Sequence, residues 1–175
     1  MNNKNPIEMK LNNAIHYFKL GDYDNALNHL KMLKNESKHF LIHWYLSHTY
    51  FKLHKYHRAI DEVKESIRLN SKDSKNLNFL GELYLETNQI IKALKIFEDV
   101  LILDKNNKSA LLNLAKLNLN IGKPKKSEKY FLELLKNDSE NYGYYYSLIK
   151  IDPKYLSNNL IDQIKSSKKQ FNFFD

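Results

Sequence analysis

Between residues 7 and 137 the apolar positions return every three or four residues with polar ones between them, and the stretches are interrupted by Gly, Asn, His and Asp. That spacing puts the apolar side chains on one face of a helix. The interruptions divide the chain into helices at about 7–20 and 23–36, 39–53 and 56–69, 74–87 and 90–103, and 108–121 and 124–137. Gly21 and Gly122 stand where a left-handed residue would end the first helix of a pair, and His54 and Asn88 occupy the equivalent points. Pro124 falls in the first turn of a second helix, where its missing N–H costs little. Asp22 is placed to cap another.

A second pattern lies over the first. Ala26, Ala59 and Ala93 are 33 and 34 residues apart, and each sits inside a larger motif. The fullest copy has Leu77, Leu80, Gly81 and Tyr84, then Ala93 and Phe97. The copy before it has His43, Leu46, Ser47, Tyr50, Ala59 and Val63; the first has Asn13, Ala14, Tyr17, Gly21, Ala26 and Leu30; a fourth runs Leu111, Leu114, Ala115, Gly122, Ser127 and Phe131. Small residues mark places where two helices cross closely, because a larger side chain would hold the axes apart, while Leu, Tyr and Phe fill the adjoining grooves.

The motif resembles the tetratricopeptide repeat, a helix-turn-helix unit of about 34 residues. The first copy departs from it at Lys10 and Asn13, where large apolar residues are usual, and the fourth at Asn118 and Ser127. One such unit cannot bury its apolar faces alone, and about three or more must stack to form a continuous core. The resemblance therefore implies an all-α, right-handed α-solenoid in one domain over residues 1–175. Its units cover about 7–38, 39–73, 74–107 and 108–140, with a partial fifth at 141–151. In the partial unit Tyr145, Leu148 and Ile149 are expected on the packing face. A capping helix is expected at 153–169, with Leu156, Leu160, Ile161 and Ile164 as its apolar stripe.

Composition narrows the function. The chain has no cysteine, which excludes disulfides, thiolate metal sites and a cysteine nucleophile. No apolar run is long enough for a membrane span, and the N-terminal residues lack the apolar core of a secretory signal, so a cytoplasmic protein is expected. The net charge of +8 suggests nucleic acid, but lysine outnumbers arginine 26 to 2. Arginine is the residue suited to bidentate phosphate and guanine contacts, so the balance argues against a dedicated nucleic-acid reader. The four glycines form no phosphate loop and no Ser-His-Asp grouping has a supporting motif, so no enzyme and no cofactor is expected. The acidic pairs Asp61–Glu62 and Glu98–Asp99 read as solvated helix backs. His39 and His43 are one helical turn apart without a third ligand on their face, so no metal site is assigned.

In the family that this chain resembles, the first helix of each pair lines a concave groove that holds a peptide or helix of a partner protein. Carried over position by position, the groove residues are Leu11, Ile15, Phe18, Lys19, Trp44, His48, Phe51, Lys52, Asn78, Glu82, Glu86, Leu112, Lys116 and Asn120. Leu11, Phe18, Trp44 and Phe51 would be the apolar anchors, and Lys52, Glu82, Glu86 and Lys116 would set orientation. Family members that clamp acidic C-termini use cations at places occupied here by Leu11, Ile15, Tyr45, Lys75 and Phe79, and of these only Lys75 fits. The expected function is a non-catalytic adaptor or scaffold, a small chaperone being one form of it. A basic nucleic-acid-binding solenoid and a self-assembling module are the alternatives. The aromatic C-terminus, Phe171, Phe173 and Phe174, is expected to dock on its own chain or to join two copies into a homo-oligomer.

Overall fold

The computed structural model describes residues 6–70 and 73–157. Among them the chain is helical and without strands: α1 (Pro6–Lys19), α2 (Tyr23–Glu36), α3 (Phe40–Lys52), α4 (Tyr56–Leu69), α5 (Ser74–Glu86), α6 (Ile90–Leu103), α7 (Lys108–Asn120), α8 (Pro124–Asn137) and α9 (Tyr142–Ile151), followed by a single 3-10 turn at Pro153–Tyr155. The eight paired helices start and stop within one residue of the limits that the polar interruptions mark. The chain divides into two compact units, one holding α1–α6 and the other everything from Asn106 onward. In the first, α1 packs on α2, α3 on α4 and α5 on α6, and α2 and α4 also contact the pair that follows. In the second, α7 packs on α8 and α8 on α9.

All four inter-helix turns share one construction. Gly21, His54, Asn88 and Gly122 have φ of 79°, 56°, 55° and 73°. The residue after each donates its N–H to the carbonyl five residues back, at Tyr17, Tyr50, Tyr84 and Asn118, over 2.7–3.0 Å. This is the bond by which a left-handed residue closes a helix end and satisfies one of its free carbonyls. The next helix then starts at once. Asp22 caps α2 through Asn25, and Pro124 occupies the first turn of α8.

Small residues hold the helices of each pair together. Ala26, Ala59, Ala93 and Ser127 on the second helices are fully buried, as are Ala14, Ser47 and Ala115 on the first. Ser127 donates its hydroxyl to the Ala115 carbonyl at 2.7 Å, so the serine that replaces alanine in the fourth repeat bonds directly to the backbone of its partner helix. At Gly81 the fit is tightest, since a Cβ there would lie 2.6 Å from the Phe97 ring. The third repeat thus sets its smallest residue against a fully buried aromatic ring.

Polar pairs join successive pairs within the first unit. Ser66 of α4 donates to the Phe40 carbonyl at 3.1 Å and accepts from Asn76 of α5 at 3.2 Å. Glu62 is a correction to the sequence expectation. It is buried, whereas Asp61 beside it is exposed. Its carboxylate contacts His43 Nδ1 at 2.8 Å and Lys34 Nζ at 2.6 Å, linking α2, α3 and α4. Glu98 of the other acidic pair is exposed and Asp99 half-buried.

In the second unit Lys108 and Asp138 pair at 3.0 Å across α7 and α8. In α9 it is Tyr144 and Leu148 that are buried, while Tyr145 and Ile149 are half-buried. The packing face is therefore rotated by one residue from the expected one at its first position. Tyr155 donates its hydroxyl to Glu128, and Lys154 lies 3.3 Å from the same carboxylate, fixing the 3-10 turn to α8. Where the capping helix is expected to begin, Pro153–Tyr155 form this 3-10 turn and Leu156 and Ser157 are non-helical, with Leu156 exposed; residues 158–169 of the expected helix and the aromatic C-terminus lie outside the described residues.

The tight crossing leads to a prediction. Gly81→Ala should destabilise the protein by about 1–3 kcal/mol, because the Phe97 ring must move in a packed core. Gly21→Ala meets no atom within 4 Å, and its cost is backbone strain alone, about 1 kcal/mol. Urea denaturation of the two variants checks the ranking.

Candidate functional site

The first helices of the three pairs in the first unit carry a continuous band of aromatic rings. Phe18 of α1 meets Tyr23 at 5.6 Å and Tyr45 of α3 at 5.7 Å, between ring centroids. Tyr45 meets Trp44 edge-on at 4.8 Å. Trp44 stacks on His48 at 3.9 Å, and His48 stacks on Phe79 of α5 at 3.8 Å. Phe79 meets Phe51 edge-on at 5.5 Å, and Phe51 meets Tyr56 at 5.8 Å. Eight rings thus touch in sequence, six on α1, α3 and α5 and the end members Tyr23 and Tyr56 on the first residues of α2 and α4. Phe79 is buried and the other seven are half-buried. Offset stacking and edge-to-face contact are the favoured arrangements for aromatic quadrupoles, so the band is well ordered while part of each half-buried ring faces solvent.

Helical spacing explains why the rings line up. Trp44, His48 and Phe51 are separated by four and three residues and share one face of α3. His48 is held in place by its backbone. Its Nδ1 lies 2.9 Å from the Trp44 carbonyl, and because a carbonyl only accepts, the Nδ1 carries the proton. Burial depresses the His48 pKa; the bond to the Trp44 carbonyl opposes this, and the nearby Lys52 adds to the depression. At neutral pH the ring is therefore uncharged, stacks as an aromatic, and has Nε2 as a lone-pair acceptor.

The other expected groove residues separate into three groups. Leu11 is 7% exposed and belongs to the core, whereas Ile15 is half-buried. Lys19 and Lys52 are exposed, with Lys52 Nζ 5.9 Å from the Phe51 ring centroid. On α5, Asn78 is half-buried and Glu82 and Glu86 are exposed, one turn apart and on the same face as Phe79. Partial burial raises the Glu82 pKa, and the Glu86 charge raises it further. Leu112, Lys116 and Asn120 belong to the second unit, on α7, with Leu112 half-buried and the other two exposed.

A cavity of about 370 Å³ lies elsewhere in the first unit, lined by Lys34, Lys38, His43, Asp61, Glu62, Glu65 and Arg68. Its chemistry is internally matched. Lys34 and His43 bind Glu62, and Arg68 binds Glu65 at 2.6 Å. His39 is exposed on the α3 N-cap, where its Nδ1 accepts from the Leu41 N–H, and His43 is buried against Glu62. Among the described residues no group of three or more His, Cys, Asp or Glu is arranged to hold a metal ion.

The tetratricopeptide repeat family model matches residues 109–141, the fourth of the expected units. The match to that repeat is confined to these residues. No curated protein matches it in sequence. Among solved structures, the MamA RS-1 ArsTM double mutant is similar at a TM-score of 0.82 and 16% identity, over 97% of this chain and 99% of that one. YrrB, described as a tetratricopeptide repeat protein with an unusual peptide-binding site, is similar at 0.70 and 16% identity, over 91% and 90%. The first repeat domain of Spaghetti (RPAP3), bound to the HSP90 peptide SRMEEVD, is similar at 0.62 and 23% identity, over 66% and 92%. At these identities the likeness concerns the fold.

Against that fold, Tyr23, Tyr45, Tyr56 and Phe79 are the band members absent from the sequence-derived groove. Tyr45 and Phe79 fall at places that the family's acidic-peptide clamp would use, and the ring contacts show that they continue the band. The repeat units also contain no helix long and apolar enough to cross a membrane, among the described residues.

His48 yields a pH prediction. A histidine whose folded pKa is depressed keeps its stabilising effect above its ordinary value of 6.5 and loses it as pH falls from there toward the folded value. His48→Phe preserves the stack but cannot ionise. The stability of this variant relative to wild type should therefore rise as pH falls from 7.5 toward 5. Chemical denaturation across that range measures it, and a pH-independent difference contradicts the assignment.

Proposed function

We propose that this protein is a non-catalytic interaction module, an adaptor or scaffold, that takes a short segment of a partner protein on the aromatic band of α1, α3 and α5. The carrying observation is the band itself: eight rings in consecutive contact, seven of them half-buried and so partly open to solvent. Contiguous apolar surface of this kind is costly to leave in water and marks interaction sites. The peptide named with YrrB and the HSP90 peptide named with RPAP3 support the same reading for a chain of this fold.

Trp44, Phe51 and Phe18 are the anchors in this reading, Ile15 and Leu11 support them, and Lys19, Lys52, Asn78, Glu82 and Glu86 surround them. Rigid aromatic side chains lose little conformational entropy on binding, and Trp is enriched in binding hot spots. A chaperone that shields an apolar segment of its substrate would use the same surface, and the cytoplasmic placement expected from the N-terminal residues belongs to this proposal as well.

Trp44→Ala together with Phe51→Ala should weaken partner binding by about 2 kcal/mol or more, roughly 30-fold, while circular dichroism shows unchanged helix content. Pull-down from a lysate of the source organism with both chains, followed by titration of the recovered partner, gives the comparison. Because Trp44 is the single tryptophan, its emission should also shift on binding. Equal retention of partners by both chains would place the interaction elsewhere.

A further inference from the structure

The α5 edge of the aromatic band has a charge that the rest of the chain does not share. The protein carries a net +8, yet the face of α5 that continues the band from Phe79 consists of Glu82 and Glu86, three and seven residues on. Neither carboxylate has a salt-bridge partner among the described residues, although lysines elsewhere are drawn into pairs with Glu36, Glu62, Glu133 and Asp138. The local electrostatics of Glu82 involve its own partial burial and the like charge of Glu86, with no compensating cation. Two like charges one turn apart on a helix destabilise it slightly, so the pair is not explained by the stability of the free protein.

We propose that the segment seated on the aromatic band is basic: an apolar or aromatic anchor packs on the rings around Trp44, and a lysine or arginine next to it in sequence is held by Glu82 and Glu86. The inference rests on the reading of the band as a partner site and adds the chemistry of the partner. Two features of the surface favour a cation at the same place. The carboxylates offer charge-assisted hydrogen bonds, bidentate in the case of arginine. The neighbouring ring faces attract a cation through their quadrupoles, as Lys52 over Phe51 already illustrates within the chain. Lys19 and Lys52 stand at the last turns of α1 and α3, and Lys75 lies one turn before Phe79 on α5.

The test is selection from a library of random dodecapeptides displayed on phage, panned at low salt against three forms of the full chain: wild type, Glu82→Gln with Glu86→Gln, and Trp44→Ala. Both glutamates are exposed and removal of their repulsion should leave the double variant at least as stable as wild type, so loss of selection cannot be attributed to unfolding. The wild type should enrich peptides with Lys or Arg within a few residues of an apolar anchor, by about tenfold over the same anchor flanked by Asp or Glu. The double variant should retain the anchor and lose the basic preference, and Trp44→Ala should lose the anchor. Enrichment of the anchor without a basic neighbour, or a basic preference that survives in the double variant, overturns the charge assignment and leaves the band as a partner site. Absence of any motif that depends on Trp44 overturns both. A mass that doubles with concentration in wild type and not in the double variant would assign the basic segment to a second copy of this chain and overturn the assignment to a separate partner.

Discussion

Close contact between paired helices is the constraint from which the other features follow. Ala26, Ala59, Ala93 and Ser127 reach zero exposure because the facing helix comes near enough to cover them completely, and Ala14, Ser47, Gly81 and Ala115 are buried on the first helices. At such a crossing each position excludes all but the smallest side chains, so the large residues are displaced to the flanks, where Leu30, Val63, Phe97 and Phe131 fill the space one turn away. The turn is constrained in the same way. Two helices held this closely allow only a short connection, and a single left-handed residue closed by the bond to the tyrosine or asparagine carbonyl supplies it in all four repeats. His54 and Asn88 adopt that conformation without being glycine, which shows that the crossing, and not the residue, determines the turn.

These elements were legible in the sequence for a physical reason. Backbone demands such as a tight crossing or a positive φ restrict residue type strongly, so Ala, Gly and Asn at a fixed period reveal them, and the helix limits follow. Side-chain partnerships impose weaker restrictions. Glu62 beside Asp61 reads as a solvated pair because nothing local distinguishes the two. Its burial depends on His43, 19 residues earlier, and on Lys34, 28 residues earlier. Leu11 shows the opposite case: a leucine in the groove register looks like an anchor, and only the tertiary packing reveals that it is covered.

The aromatic band was partly legible for the same reason. Trp44, His48 and Phe51 are related by helical spacing on one element, and their alignment is a property of the sequence alone. Tyr45 and Phe79 connect that row to α1 and α5, and they do so across elements whose relative placement the sequence does not encode locally. The band also explains the presence of histidine at position 48. A phenylalanine would stack as well, but the imidazole adds a fixed Nδ1–H to the Trp44 carbonyl, which locks the ring's rotation and with it the planes of Trp44 and Phe79. Rigid rings that need no reordering retain more of their contact energy when a ligand arrives.

Global and local charge make opposite demands on any ligand of this surface, and their ranges decide which prevails. The +8 of the whole chain acts at a distance, where at physiological ionic strength it is screened over about 8 Å. Most of the lysines that make up that charge are solvated, and several are already paired with carboxylates. At contact distance a ligand meets instead the particular groups beside it, and on the α5 border of the band these are two carboxylates without cations, one of them partly desolvated. A pair interaction of two unit charges at 4 Å near a protein surface is about 4 kcal/mol before desolvation, far above the screened remainder of a distributed field. In the proposed complex, net charge would affect how fast a charged segment approaches, whereas the glutamates beside Phe79 would determine which segment stays.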